Sequence, residues 1–370
     1  MSRFLNKKYK GVTPYVPGEQ PQDMKYIKLN TNESPFPPDP AVQQAAAEAA
    51  SRLQLYPDPD LLVLREKLAG YFNGKFGTGL SRGNFMLTNG SDEALNDLFM
   101  AFCGPDRPAV FPDITYGFYK VFAEVNGVPY KEIPLQGDFT VDADALAEEE
   151  GTIFLANPNA PTGLALSRDE IERILRARPD DLLVVDEAYI DFGGESAVPL
   201  LEKYDNLVVV QTFSKSRSMA GARVGFAAAQ ESLIRDLDTL RNSTSPYNVN
   251  RMSMAAAEAA LDHDEAVQKN VAEIKEIRES TKAALKEMGF RVTGSLGNFL
   301  FLKHDGFDGE ELYEALKARG VLVRHFKKER IAKYNRVTIG SREQMREFLR
   351  ILGEITGSEE ETRLRNGEQR

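Results

Sequence analysis

From residue 84 onward the chain repeats a single theme. A short apolar run without alternation is followed by a Gly, Asn or Asp turn and then by an amphipathic segment. The runs occupy 85–87, 109–111, 153–156, 182–185, 207–210 and 224–229. Strands that are apolar on both faces belong to a sheet covered by helices on both sides, the setting of parallel sheets. The intervening segments carry helix punctuation. Ser167 with Glu170 spells a capping box ahead of Ile171, Ile174 and Leu175, and Gly104 and Gly127 stand where helices should stop.

The flanks differ in character. Residues 1–40 follow neither period, but Val12, Tyr15, Val16, Tyr26, Ile27 and Leu29 make them too apolar for a free tail, so an ordered arm is expected. The composition turns helical over 41–50. After a Tyr-Pro-Asp-Pro break at 56–59, a second helix has Leu61, Leu64, Leu68 and Tyr71 or Phe72 at helical spacing. Past about residue 250, a long charged helical stretch over 255–288 leads to strands at 290–293 and 299–303, a helix around 310–319, and strands at 321–324 and 336–339. The pattern predicts an α/β fold, a mainly parallel sheet sandwiched by helices, accompanied by a smaller α+β domain. The expected divisions are an arm at 1–40 that contributes to the smaller domain, a large domain at 41–250, a small C-terminal domain at 251–355 and a frayed polar tail at 356–370. Two domains also suit the length, because single cores stop growing near roughly 250–300 residues.

Composition narrows the function. With 42% hydrophobic and 28% charged residues, the 370-residue chain has material for a sizeable core. Its formal net charge of −10 leaves no basic field to draw nucleic acid or anionic lipid, so any basic residue that matters acts locally. Cys103 is the only cysteine, and His263, His304 and His325 share no ligand spacing, so neither an internal disulfide nor a metal site is expected. The first residues lack an apolar signal region and no apolar run approaches membrane-spanning length, so a cytoplasmic protein without a membrane partner is expected.

The chemistry collects just after the apolar runs, where ligands of open α/β sheets bind. Asn89-Gly90-Ser91-Asp92-Glu93 opens a helix, and its backbone N–H groups make a phosphate cradle; read singly, Ser91 or Asp92 is an ordinary N-cap. Tyr116, in Asp113-Ile114-Thr115-Tyr116, is by itself a core or rim aromatic. Asn157-Pro158-Asn159-Ala160-Pro161-Thr162-Gly163 is a rigid polar turn of a common kind. Asp186, ending one apolar run, and Lys215, just past the next, lie 29 positions apart, one strand–helix–strand unit; read blandly they form a salt bridge between loops. Arg223 follows near the same sheet edge. Together these residues supply what pyridoxal phosphate (PLP) requires: N–H groups and an arginine for its phosphate, an aromatic for its ring, a carboxylate for its pyridine nitrogen and a lysine for its aldehyde.

The motifs NGSDE at 89–93, an NxxPTG-like stretch at 157–163, DEAY at 186–189 and SKSRSMAGARVG at 214–225 resemble those of fold-type I PLP enzymes of the aspartate-aminotransferase superfamily (class I/II), over nearly the whole chain. TPYVPGEQP at 13–21, LNTNESPFPP at 29–38 and LYPDPD at 55–60 are most similar to the histidinol-phosphate aminotransferase subfamily. The resemblance implies that Lys215 holds the cofactor covalently and shuttles a proton, that Asp186 pairs with the pyridinium nitrogen, and that Tyr189 hydrogen-bonds the ring hydroxyl. It implies that Tyr116 stacks on the ring, while Gly90, Ser91, Asp92, Thr212, Ser214 and Arg223 hold the phosphate. Tyr56 is expected to reach the cofactor of a partner subunit, which implies a homodimer with shared sites. Tyr15, Asn32, Arg324 and Arg336 are assigned to the substrate. The family usually carries Asn before Pro-Thr-Gly, where this chain has Ala160, so Asn157, Asn159 or Tyr189 alone must serve the ring hydroxyl.

The implied reaction is a ping-pong transamination between a small amino donor and a keto acceptor, histidinol phosphate and 2-oxoglutarate in histidine biosynthesis. An aromatic aminotransferase or a threonine-phosphate decarboxylase-like enzyme is the alternative, since their motifs overlap these. A PLP-sensing transcription regulator would need a DNA-binding module ahead of the first strand, where only the arm stands. A dinucleotide-binding oxidoreductase would need a G-x-G-x-x-G after a strand, and none occurs.

Overall fold

The computed structural model describes residues 2–357, so most of the polar tail expected at 356–370 lies outside the described residues. The apolar runs assemble into one seven-stranded sheet. Its strand order is Phe85–Thr88, Gly225–Ala229, Leu207–Thr212, Leu183–Asp186, Thr152–Ala156, Ala109–Pro112 and Tyr130–Ile133. All pairings are parallel except those of Gly225–Ala229, which runs antiparallel to both neighbours.

The two-residue strand period divides the runs between two helical layers. Phe85, Leu87, Ile153, Leu155, Leu183, Val185, Leu207 and Val209 pack with residues of helices Leu62–Phe76, Arg168–Ala177 and Arg251–Asp262. Met86, Phe154, Val184, Val208 and Val210 pack on the other face with helices Ser91–Phe102, Phe118–Asn126 and Glu231–Thr244. Phe99 stacks on Phe154 there with ring centroids 4.1 Å apart. Ser167 does form the capping box with Glu170, and Gly127 ends its helix in the left-handed conformation. The edge strand Tyr130–Ile133 escapes the sequence pattern because two of its four residues are exposed charges, which suits an edge.

A four-stranded antiparallel sheet follows, in the order Arg324–His325, Asn335–Thr338, Phe299–His304, Phe290–Val292. Helices Asp264–Glu287, Gly309–Ala318 and Arg342–Thr356 share its apolar core, which also takes in Leu29 of the arm. Two expectations are corrected here. The helical stretch 255–288 is broken at His263, and the strand expected at 321–324 is two. Val321–Leu322 pairs in parallel with Ile27–Lys28 of the arm, whereas Arg324–His325 pairs with Arg336 and Asn335. Among the described residues, no helix is long and apolar enough to cross a membrane.

Helix Ser91–Phe102 buries Asp97, one of whose oxygens has no hydrogen-bond partner among the described residues. Burial, with Glu93 nearby, raises this carboxyl to about 7, against the pull of Arg241. The folded chain therefore holds the proton more tightly than the unfolded chain, so stability falls as pH rises from the ordinary carboxylate value toward about 7. Asp97→Asn should raise the melting temperature near pH 8 and change it little near pH 4. Thermal denaturation at both values checks this; an equal shift at both would exclude ionisation as the cause.

Candidate active site

The parallel register aligns Asp186 with Ala156 on one side and Val210 on the other, so the residues after all three strands converge. Asp186 is buried. Its Oδ2 accepts the Tyr119 hydroxyl at 2.9 Å, and its Oδ1 accepts the Ala188 N–H at 3.1 Å. Burial raises its carboxyl to about 6, with the two hydrogen bonds opposing the shift. Lys215 stands on the turn after the neighbouring strand, its Nζ donating to the Thr31 carbonyl at 3.4 Å and lying 5.7 Å from the Tyr189 ring centroid. The Tyr189 hydroxyl accepts Asn32 Nδ2 at 2.9 Å.

The cradle forms opposite. Gly90 caps the helix Ser91–Phe102 with φ of 81°, and no side chain caps it, so the first-turn N–H groups face the cavity uncapped. A side chain at Gly90 would run into the Arg223 guanidinium, and a Cβ at Gly225 would lie 2.5 Å from Ser91 N. Arg223 itself adopts the left-handed conformation. It reaches Asp92 Oδ2 at 3.1 Å and Ser214 Oγ at 3.5 Å, while Thr212 Oγ1 donates to Ser214 Oγ at 2.9 Å. Tyr116 donates to Asp92 Oδ1 at 2.6 Å, and burial, with Asp92 adding, raises its phenol well above the usual value. Asp186, Tyr189, Lys215, Arg223, Tyr116 and Ser91 all line one cavity of about 250 Å³.

A second cavity of about 1020 Å³ shares Tyr116, Tyr189, Lys215 and Arg223 with the first and reaches Arg324 and Arg336. These arginines are register partners on adjacent strands. Arg336 Nη2 donates to the Asn30 carbonyl at 3.2 Å, but its Nε is buried without a partner among the described residues. Burial lowers the Arg336 pKa, the second arginine adding to the effect. Arg324 instead donates to the Val16 and Pro17 carbonyls at 2.8 and 3.1 Å. This ties down the arm beside Tyr15, which stacks on Phe118 at 4.2 Å.

Two of the expected residues are engaged elsewhere. Asn157 exchanges both side-chain hydrogen bonds with Leu166, and Asn159 Nδ2 donates to the Ile114 carbonyl and Thr162 while its Oδ1 accepts from Thr115. Both amides are thus occupied, and Ala160 lines the cavity in their place. Tyr56 does not line its own chain's cavity; it is 77% exposed and stacks on Tyr247 at 4.5 Å. Conversely, Tyr119 and Thr31 touch Asp186 and Lys215 without having been singled out. Tyr119 lies three residues beyond Tyr116, one helical turn, and that spacing is the signal that could have found it.

The model of the aminotransferase class I and II family matches residues 24–352. The chain is 45% identical over 355 residues to histidinol-phosphate aminotransferase 1 of Bradyrhizobium diazoefficiens, covering 96% of this chain and 100% of the relative. Identity to the histidinol-phosphate aminotransferase of Brachyspira hyodysenteriae is also 45%, over 94% of this chain and 98% of the relative. Among solved structures, the histidinol-phosphate aminotransferase from Sinorhizobium meliloti in complex with pyridoxal-5'-phosphate has a TM-score of 0.81 at 24% identity, covering 90% of this chain and 92% of that one, a likeness of fold. Nearly the full length of the chain thus belongs to the class I and II aminotransferases, PLP-dependent enzymes that move an amino group from a small donor to a small keto acceptor.

Proposed function

We propose that the enzyme transfers the amino group of histidinol phosphate to 2-oxoglutarate, giving imidazole acetol phosphate and glutamate in histidine biosynthesis. One observation carries the substrate reading beyond the relatives' names: the buried, unpartnered Nε of Arg336 in a cavity continuous with Lys215. We further infer a cytoplasmic homodimer. Leu53, Leu55, Tyr56, Leu62, Val63 and Tyr247 expose large apolar side chains, the material of a subunit contact. We read the seven-stranded sheet as the large domain and the four-stranded sheet with the arm as the small one.

The residues fit PLP by the chemistry of their donor set. The open helix end, Arg223 and Ser214 suit a phosphate, and Gly90 and Gly225 keep that volume clear of side chains. When bound, PLP supplies an aldehyde that takes up the amino group and a protonated pyridine ring that withdraws electrons from the reacting carbon. Asp186 holds the proton on the ring nitrogen. Its own high carboxyl value reflects the want of a cation, and a pyridinium supplies one. Lys215 Nζ takes the proton from the amine-bearing carbon of the substrate. Tyr189 would donate to the ring oxygen, and Tyr116 would cover the ring. Histidinol phosphate carries a phosphate ester and no α-carboxylate, whereas the glutamate that alternates with it carries carboxylates; a forked guanidinium at Arg336 accepts either anion.

Asp186→Asn should retain PLP but lower kcat by roughly 100-fold or more, about 3 kcal/mol of barrier. Steady-state kinetics with a cofactor-content assay checks it, and near-parental kcat would leave Asp186 a structural residue. Arg336→Lys should weaken both half-reactions by roughly tenfold or more, because lysine keeps the charge and loses the fork. Arg324→Ala, which frees the arm, should harm the histidinol-phosphate half more than the glutamate half. Single-turnover stopped flow separates the halves; faster turnover of phenylalanine or tyrosine than of histidinol phosphate would defeat the substrate reading and spare the PLP assignment. Mixing inactive Lys215→Ala with a Tyr56→Phe variant should yield heterodimers with one undamaged site. Activity above both parents is the expected result, and none after verified subunit exchange would count against a trans contact.

A further inference from the structure

The turn carrying Lys215 is gripped from outside the cavity. Ser216 Oγ donates to Asp191 Oδ2 at 2.6 Å. Arg217 reaches Asp264 at 2.9 Å and the Ala260 carbonyl at 2.8 Å, and Ser218 Oγ donates to Ser34 at 2.8 Å. Of these partners Asp191 and Ser34 belong to segments that also carry cavity residues, and of the two only Asp191 is charged. It stands two positions beyond Tyr189, on the short helix Ile190–Phe192. Its second oxygen accepts Lys75 Nζ at 3.2 Å, from helix Leu62–Phe76. One carboxylate therefore joins the turn bearing the phenol to the turn bearing the amine, and a helix of the supporting layer holds it.

The carboxylate is ionised in this setting. Burial pushes its pKa up, but Lys75 and Arg217 outweigh burial and leave it below the usual carboxylate range. An anion accepts the Ser216 hydroxyl more strongly and with tighter geometry than a neutral group does. Lys215 gains little restraint from its own side chain, whose only hydrogen bond among the described residues is the 3.4 Å contact with Thr31. The placement of Nζ thus depends on the backbone beneath it.

We propose that Asp191 is a positioning residue for the transamination: through Ser216 it locks the Lys215 turn against the Tyr189 turn. This rests on the assignment of Lys215 as the cofactor-bearing amine. The bland alternative is that Asp191 and Lys75 merely close a helix onto the sheet. The two differ in what Ser216 does, because losing its hydroxyl breaks the link to Lys215 and leaves the ion pair intact.

The test compares Ser216→Ala, Asp191→Asn, their double variant and Lys75→Met as holoenzymes. It reads the pH midpoint of the bound cofactor's visible absorbance, kcat, KM for glutamate and melting temperature. Ser216→Ala should move the midpoint by about 0.5 pH unit or more and lower kcat by about tenfold, with KM and melting temperature near parental values. The double variant should match Asp191→Asn, since both cut one link. Lys75→Met should lower the melting temperature and move the midpoint less than Ser216→Ala does, because Arg217 still faces the carboxylate. A parental midpoint and kcat in Ser216→Ala overturns the proposal, as does an additive double variant. Lys215→Ala is the separate control. Loss of its visible band and of any borohydride-reducible adduct leaves a failure in Ser216→Ala to count against Asp191 alone, whereas a persisting adduct overturns the Lys215 assignment and this proposal with it.

Discussion

Asp186 is a carboxylate buried at the end of a central strand, with two neutral donors and no cation in contact. Burial without a counter-charge is among the costliest things a fold does, and here it lifts the carboxyl to about 6. The rest of the site follows from relieving that cost. On the proposed roles, a protonated ring nitrogen set against Asp186 would supply the missing charge, and a rigid ring anchored there would have its other substituents fixed in direction. The phosphate would then fall at the uncapped end of helix Ser91–Phe102 and the aldehyde at Lys215. The sheet makes this possible because parallel strands bring Ala156, Asp186 and Val210 level, so successive loops serve one ring.

Anion recognition in a chain of net charge −10 depends on which cations are already engaged. Arg223 is shared between Asp92 and Ser214, so a phosphate entering the cradle joins an existing network. Arg324 is committed to the Val16 and Pro17 carbonyls. Of these three arginines only Arg336 keeps a buried N–H with no partner among the described residues. The pairing of Ile27–Lys28 with Val321–Leu322 carries the arm past these arginines, and Arg324 then fixes it beside Tyr15. The arm is thus a wall of the larger cavity, which explains why so apolar a leading segment is ordered.

What was legible in the sequence was what local pattern encodes. Each of the six apolar runs became a strand of the central sheet within two residues of its expected bounds, because burial on both faces leaves an unbroken signature. Tyr130–Ile133 was not legible, since an edge strand with exposed Lys131 and Glu132 looks like a loop. The antiparallel course of Gly225–Ala229 and the division of Val321–Leu322 from Arg324–His325 depend on distant partners, which no local window contains. The chemical residues gathered as their positions after strands implied. The amides of Asn157 and Asn159 did not, because Leu166 engages one and Ile114 and Thr115 engage the other, partners outside the motif. Tyr119 was hidden by its apolar setting, which made a residue holding Asp186 look like core.

Those two occupied amides bear on how the ring hydroxyl is held. With Ala160 in the cavity wall, no asparagine of the turn faces the cofactor volume. The arm supplies a substitute at one remove. Asn32 Nδ2 donates to the Tyr189 hydroxyl at 2.9 Å, and Asn32 is itself fixed by Thr338 on its Oδ1 and Asn298 on its carbonyl. A phenol that accepts from an amide is polarised and has its own proton left to donate, here into the cavity that Tyr189 lines. On this reading Tyr189 serves as a strengthened donor in place of two weaker ones. Its strength then depends on Asn32, which reaches the site only because the arm has paired with the C-terminal strands. On that reading the segment of chain that forms a wall of the larger cavity would also hold the ring hydroxyl.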